Sequence, residues 1–279
     1  MAGASMKDIK LRIRSVESTM QITKAMQLVA SSKLRHARAR MEASRPYMQL
    51  AQQALLDIAQ HNTGARNDYM IPREIKNRCY VVIAGDRGLA GSYNANIFKS
   101  VEGNCGEASH CVIPIGRKAR EYFARRNIPV VMQLERVEGL SVEDCEPIAK
   151  ALLDGFDVGR FDEVILAYTS FASVLTQNTK LSQLLPIVPD AMPEHPTQMI
   201  CEPGVDQLIR QFLHQYLAGM IYAAACDSFA SEQAARRVAM DSATKNAGQM
   251  IDDLSLRYNR ARQGSITQEL TEIVAGAEQ

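Results

Sequence analysis

Tryptophan is absent from this 279-residue chain, and aromatic residues together make up only 6% of it. Strands of a β-sandwich favour aromatic and β-branched side chains, so so few aromatics point to a helix-rich architecture. Proline is missing from residues 1–45 and again from residues 204–279; all ten prolines lie between. Proline breaks helix interiors, so each end can carry an uninterrupted helix. The second stretch would reach roughly 114 Å at about 1.5 Å per residue if it were helical throughout. No compact domain of this size is that wide. A helix at each terminus with a globular piece between describes a rod with a head on its side, and rods transmit force or span distance more often than they do chemistry.

Other absences exclude other functions. No C-x-x-C occurs among the six cysteines (79, 105, 111, 145, 201 and 226), which fits a thiol-reducing compartment. The five histidines (36, 61, 110, 195 and 214) are scattered without ligand spacing, so no metal site is expected. There is no G-x-S-x-G and no Cys–His pairing. No apolar run approaches the roughly 20 residues needed to cross a bilayer. The N-terminus is polar and basic, without the apolar core of a secretory signal. Neither catalytic residues nor a cofactor are expected.

Net charge is +1, with 32 basic and 31 acidic residues. The distribution is uneven, because residues 1–45 hold ten Lys and Arg against three Asp and Glu. Such a segment seeks phosphate or an acidic protein surface, or is simply a solvated helix face.

From Ser5 to His61 the pattern is helical. Ile9, Ile13, Val16, Met20, Thr23, Gln27, Ala30, Leu34, Ala37, Met41, Ser44 and Met48 recur at spacings of four and three, a heptad seam. Ile22, Met26 and Val29 add a second apolar stripe, which calls for a second partner. Residues 61–76 read as a linker. Short β-branched runs at 79–84, 110–115 and 129–134 alternate with amphipathic segments at 93–101, 117–127 and 142–156. Runs at 163–169 and 175–185 read as a hairpin. This alternation implies a parallel sheet with helices on its faces. A proline-punctuated exit leads to a last helix starting near Val205, whose far end carries a narrower seam of Ile251, Leu254, Tyr258, Ala261, Ile266, Leu270 and Ile273. The predicted fold class is α/β. A long antiparallel coiled coil of the N- and C-terminal helices (1–61 and 204–279) joins a small Rossmann-like α/β domain at 77–190.

Gly85-Asp-Arg-Gly-Leu-Ala-Gly91 follows a strand and precedes a helix. Its spacing is G-x-x-G-x-x-G, which matches neither the dinucleotide fingerprint nor the nucleoside-triphosphate loop. A strand-to-helix turn needing small residues and positive φ is the expected reading. A nucleotide-binding α/β enzyme is the alternative. A nucleic-acid-binding basic coiled coil is a third reading, disfavoured by the apolar C-terminal tip. Near that tip Arg262, Thr267 and Glu269 cannot all lie in an antiparallel seam, and polar residues there suit specific hydrogen bonds to a surrounding partner.

Three stretches carry a resemblance: Gln21-Ile-Thr-Lys-Ala-Met-Gln-Leu-Val-Ala-Ser-Ser-Lys33, Asp86-Arg-Gly-Leu-Ala-Gly-Ser-Tyr-Asn-Ala-Asn96, and Ala239 to Gly248 continuing into Tyr258 to Ile273. With these the chain resembles the gamma subunit family of F-type ATP synthases over nearly its whole length. The redox-regulatory cysteine insertion of chloroplast members is absent, so thiol control of that kind is not implied. No transit peptide is seen, which favours a bacterial protein. The resemblance implies a non-catalytic rotor stalk that couples proton-driven rotation of a membrane c-ring to ATP synthesis or hydrolysis in an alpha3-beta3 head. It implies alpha, beta, epsilon and c-ring partners, no nucleic acid, and a peripheral place at the cytoplasmic face of the bacterial membrane, reached only through the complex. Carried over by position, Lys24 and Met26 would meet an acidic loop of beta. Arg236, Arg262, Gln263, Thr267 and Glu269 would hydrogen-bond beta near the upper shaft. Asn94 and Asn96 lie in the central motif without an assigned partner.

Overall fold

A computed structural model describes residues 6–61, 68–106, 108–187 and 205–277. Its elements are α1 (Met6–His61), a 3-10 turn (Asp68–Met70), β1 (Asn77–Ile83), α2 (Tyr93–Asn104), β2 (Ser109–Ile115), α3 (Arg117–Arg125), α4 (Val142–Asp157), β3 (Glu163–Phe171), β4 (Gln177–Leu185) and α5 (Val205–Ala277). Residues 62–67 of the predicted linker and most of the proline-rich exit (188–204) fall outside the described residues, while 68–76 of the linker are described. Two compact units are present, one made of Met1–Ala30 with Arg237–Gln279, the other of Ser31–Arg236.

In the second unit four strands form one sheet in the order β2-β1-β3-β4. The first three are parallel, and β4 returns antiparallel to β3 as the predicted hairpin. β1 is buried from Cys79 to Ile83, as a parallel strand covered on both faces should be. Alternation sends Cys79, Val81 and Ile83 to one face, where they meet Ile148, Leu152 and Phe156 of α4 and Leu213, Leu217 and Ile221 of α5. Tyr80, Val82 and Ala84 project to the other, onto Ile97 and Val101 of α2 and Ala119 and Phe123 of α3. The large apolar residues that open α5 are therefore a sheet cover, and residues 205–236 belong to this unit with residues 31–61. A third cluster joins Leu34, Ala37 and Met41 of α1 to Cys226, Ala230 and Ala234 of α5. At the start of α4, Ser141 and Asp144 satisfy each other's backbone in a capping box.

The run at 129–134 does not form a full strand. It touches β2 through two isolated bridges, Val112 to Val130 and Ile115 to Leu134. Pro129 has no N–H to give a ladder, although its carbonyl accepts from Val112 N at 2.9 Å.

In the first unit α1 and α5 run antiparallel. Thr23 pairs with Thr244 (2.8 Å between hydroxyls) and Gln27 with Asp241 (3.0 Å), so partners fall on α5 as they rise on α1. Ile9, Ile13, Val16, Met20, Thr23, Gln27 and Ala30 are all buried or half-buried, while Lys10, Arg12, Arg14 and Glu17 between them are exposed. The same spacing marks Met240, Thr244, Ala247, Ile251, Leu254, Tyr258 and Ala261 on α5. Beyond that point the predicted seam fails, because Ile266, Leu270 and Ile273 are exposed. The pairing register sets the start of α1 at Met6 opposite about position 261, so these three residues extend past the described length of the partner helix.

Candidate partner-binding surfaces

In the first unit the inward side of α1 is polar where the helices cross-bond. Thr23 and Gln27 spend their side chains on Thr244 and Asp241. Asp241 also accepts from Lys245 Nζ at 2.7 Å, and this bond holds its carboxyl below the usual range. With those residues turned inward, the neighbouring positions face out. Lys24 is exposed and Met26 half-buried. The second apolar stripe is uncovered, with Ile22 58% and Val29 56% exposed and Leu28 beside it. An uncovered apolar stripe flanked by a basic side chain marks an interaction surface.

The end of α5 presents a second such surface. Arg262, Gln263 and Thr267 are exposed, interleaved with the exposed Ile266 and Leu270. The Thr267 hydroxyl donates to the Gln263 carbonyl at 2.9 Å, which fixes its rotamer and leaves its oxygen able to accept. Glu269 lies on α5, and its side chain is outside the described residues.

Arg236, in the second unit, is placed differently. Only 8% of it is exposed. Its Nη2 donates to Glu232 Oε1 at 2.5 Å and to the carbonyls of Arg87 (3.4 Å) and Gly88 (3.3 Å). The pair therefore grips the glycine-rich turn between β1 and α2. Burial pushes the Glu232 carboxyl up, and the Arg236 guanidinium offsets part of that rise.

The turn itself is closed by its own side chains. Asn94 Oδ1 accepts from Gly85 N at 2.9 Å. The Asp86 carboxylate accepts from Arg117 N at 3.2 Å, at the start of α3, and from Val137 N at 3.1 Å. A phosphate would need those amides, and it would meet a carboxylate already seated there. Leu89 and Gly91 have φ of 62° and 57°, as the reading of a positive-φ turn requires. Asn96 is exposed and donates to Ser92 Oγ at 3.2 Å. Sequence reasoning missed the gripping role of Glu232, Asp86 and Asn94. Glu232 and Arg236 are spaced i, i+4 on a helix, and that spacing was the available signal. Among the described residues no cluster of three or more His, Cys, Asp or Glu could hold a metal ion, and no helix is long and apolar enough to cross a membrane.

A family model for ATP synthase matches residues 5–279. The "ATP synthase gamma chain" of Alkaliphilus metalliredigens is 42% identical over 285 residues, covering 99% of each chain. That of Ruminococcus albus is 44% identical, covering 97% of this chain and 96% of its own length. This chain belongs to the ATP synthase gamma-chain family. The fold is also that of a chain in the cryo-EM structure of the Euglena gracilis mitochondrial ATP synthase, OSCP/F1/c-ring, in rotational state 3. There the TM-score is 0.75 at 18% identity, over 99% of this chain and 95% of that one. Family membership gives the two exposed surfaces a context, since a gamma chain is one part of a larger complex.

Proposed function

We propose that this chain is the central rotor stalk subunit of a bacterial F-type ATP synthase, and that it couples rotation of a membrane c-ring to catalysis carried out entirely in the alpha3-beta3 head. It is the non-catalytic part of that assembly, peripheral to the cytoplasmic face of the membrane and attached through the complex. The observation that carries this reading is the antiparallel helix pair of the first unit, with its exposed stripe beside Met26 and its exposed polar and apolar residues from Arg262 to Leu270. A shaft that works by contact needs surface that differs from side to side. As its angle changes, differential contacts bias each catalytic site toward a different conformation.

Lys24 and Met26 are proposed to meet an acidic loop of beta. Arg262, Gln263, Thr267 and Glu269 are proposed to hydrogen-bond beta higher on the shaft. Arg236 acts on the same partner indirectly, by holding the turn at 86–88. The second unit is proposed to engage epsilon and the c-ring.

Reconstitution tests the reading. The chain alone should hydrolyse no ATP, and adding it to alpha and beta subunits should yield an active ATPase whose hydrolysis turns the c-ring once epsilon and the ring are attached. ATP-titration calorimetry on the isolated chain addresses the enzyme alternative. Stoichiometric ATP binding there, without any gain of activity on assembly, would overturn the rotor reading.

A further inference from the structure

Two thiols stand side by side in the sheet. In the parallel register of β1 and β2, Cys79 is opposite Cys111, and register partners project to the same face. Both belong to the layer against α4 and α5. Neighbouring strands lie about 4.8 Å apart, inside the roughly 4.4–6.8 Å between Cα atoms that a disulfide spans. Cys79 is fully buried, whereas Cys111 is half-buried on the strand at the sheet's edge. Both are free thiols.

We propose that Cys79 and Cys111 form a dithiol site for reversible thiol–disulfide exchange, with a small-molecule disulfide as the oxidant. Cys111 is the entry point. When neutral, its Sγ donates to the Arg78 carbonyl at 3.6 Å. A hydrogen bond from the Cys79 thiol draws Cys111 below the ordinary thiol range against the opposing effect of burial, and the Arg160 guanidinium acts in the same direction. Cys79 moves the other way, raised by that same bond and by burial. The more exposed sulfur is thus the nucleophile, and the buried one resolves the intermediate.

The thiolate of Cys111 attacks a disulfide RSSR, forms Cys111–S–S–R and expels RS⁻. Cys79 then loses its proton, and its sulfur attacks the Cys111 sulfur and expels the second RS⁻. Two electrons leave the pair, two thiol protons are released, and RSSR is reduced to two thiols. The product is a Cys79–Cys111 bond that ties β1 to β2, and a small dithiol returns it to the starting state. Cys105, Cys145 and Cys226 differ, since burial is the main influence on each and raises its thiol.

Oxidised glutathione is the probe. The full chain is reduced, freed of reductant, incubated with it, and then blocked with N-ethylmaleimide in denaturant before intact-mass analysis and peptide mapping. The expected product is a chain that has lost two hydrogen atoms and carries four N-ethylmaleimide groups, against six on the fully reduced chain, with linked peptides carrying Cys79 and Cys111, reversed by dithiothreitol. In Cys79→Ala the reaction should stop at a glutathione adduct on Cys111. In Cys111→Ser, a change at a half-buried position, Cys79 should remain unmodified. The wild-type measurement stands without either variant. Full alkylation of both cysteines after oxidation, a stable glutathione adduct on the wild-type chain, or a bond joining either one to a different thiol would overturn the proposal.

Discussion

The carboxylate of Glu232 occupies the space that a side chain on Gly85 would need. A Cβ built on Gly85 would lie 2.8 Å from both Cδ and Oε1 of Glu232 and 3.3 Å from Asn94 Oδ1. Gly85 lies two residues beyond the end of β1, at the start of the turn, so the absence of a side chain there lets a buried acid from α5 reach the turn.

Gly85→Ala should therefore destabilise the chain. Glu232 is 3% exposed and held by Arg236, so it cannot swing into solvent. Overpacking of this kind costs about 1–3 kcal/mol. The measurement is the urea midpoint, with an unchanged m-value showing that stability alone has moved. Adding Glu232→Asp, which withdraws the carboxylate by one methylene, should recover part of the loss. A Gly85→Ala chain as stable as the wild type would show that the carboxylate is not confined there.

The same pair predicts an unusual pH dependence. The Glu232 carboxyl is raised from 4.5 because burial outweighs Arg236. An acid raised by folding contributes stability that is present below its unfolded value and lost as pH rises through the folded one. The melting temperature of the wild type relative to Glu232→Gln should thus be highest in acid and decline as pH climbs above about 4.5. An exposed ion pair with a lowered carboxyl would give the opposite slope. Arg236→Ala should cost about 3–5 kcal/mol, because it leaves the acid buried and unpaired.

Thr23 and Thr244 test the polar part of the seam. Each hydroxyl also lies within reach of a carbonyl of its own helix, Met20 O at 3.0 Å and Met240 O at 2.8 Å; with one proton apiece, one hydroxyl donates across the seam while the other keeps its backbone bond. Neither is orphaned when the other is replaced. Thr23→Val and Thr244→Val should each cost about 0.5–1 kcal/mol, and the double variant should cost less than their sum because one shared bond is lost once. Strict additivity in thermal melts would mean that the two hydroxyls do not interact.

Periodicity made the helix seam legible, since Ile9 to Ala30 and Ile251 to Ala261 carry their burial in their spacing. The strands β1 and β2 and the hairpin of β3 and β4 were legible for a similar reason: runs such as Cys79-Tyr-Val-Val-Ile have few alternatives to a covered strand. Pattern failed where position was decided elsewhere. Ile266, Leu270 and Ile273 keep a helical spacing, but nothing local in α5 reveals where α1 begins. The run at 129–134 is apolar enough for a strand, yet its edge position and Pro129 reduce it to two bridges. The glycine-rich turn was readable as a turn, while its grip by Glu232 and Arg236 depends on contacts between distant parts of the chain. Met26 and Arg262 stood out as partner-facing in the pattern itself, one in a second apolar stripe and the other outside the seam, whereas Lys24 and the identity of the partner came only through the family resemblance.

Met26→Lys separates coupling from folding. Met26 is half-buried beside the exposed Ile22 and Val29. A lysine there can lay its stem along the helix and carry its charge to water, so stability should change by less than about 0.5 kcal/mol. In the proposed assembly the added charge would sit at a crowded interface with beta, where a new contact made at one shaft angle and not at others alters the work of turning. Fewer ions should then be pumped per ATP hydrolysed by the reconstituted complex in sealed vesicles, with normal assembly of the subunits. A pumping ratio equal to that of the wild type would remove Met26 from the beta-facing surface.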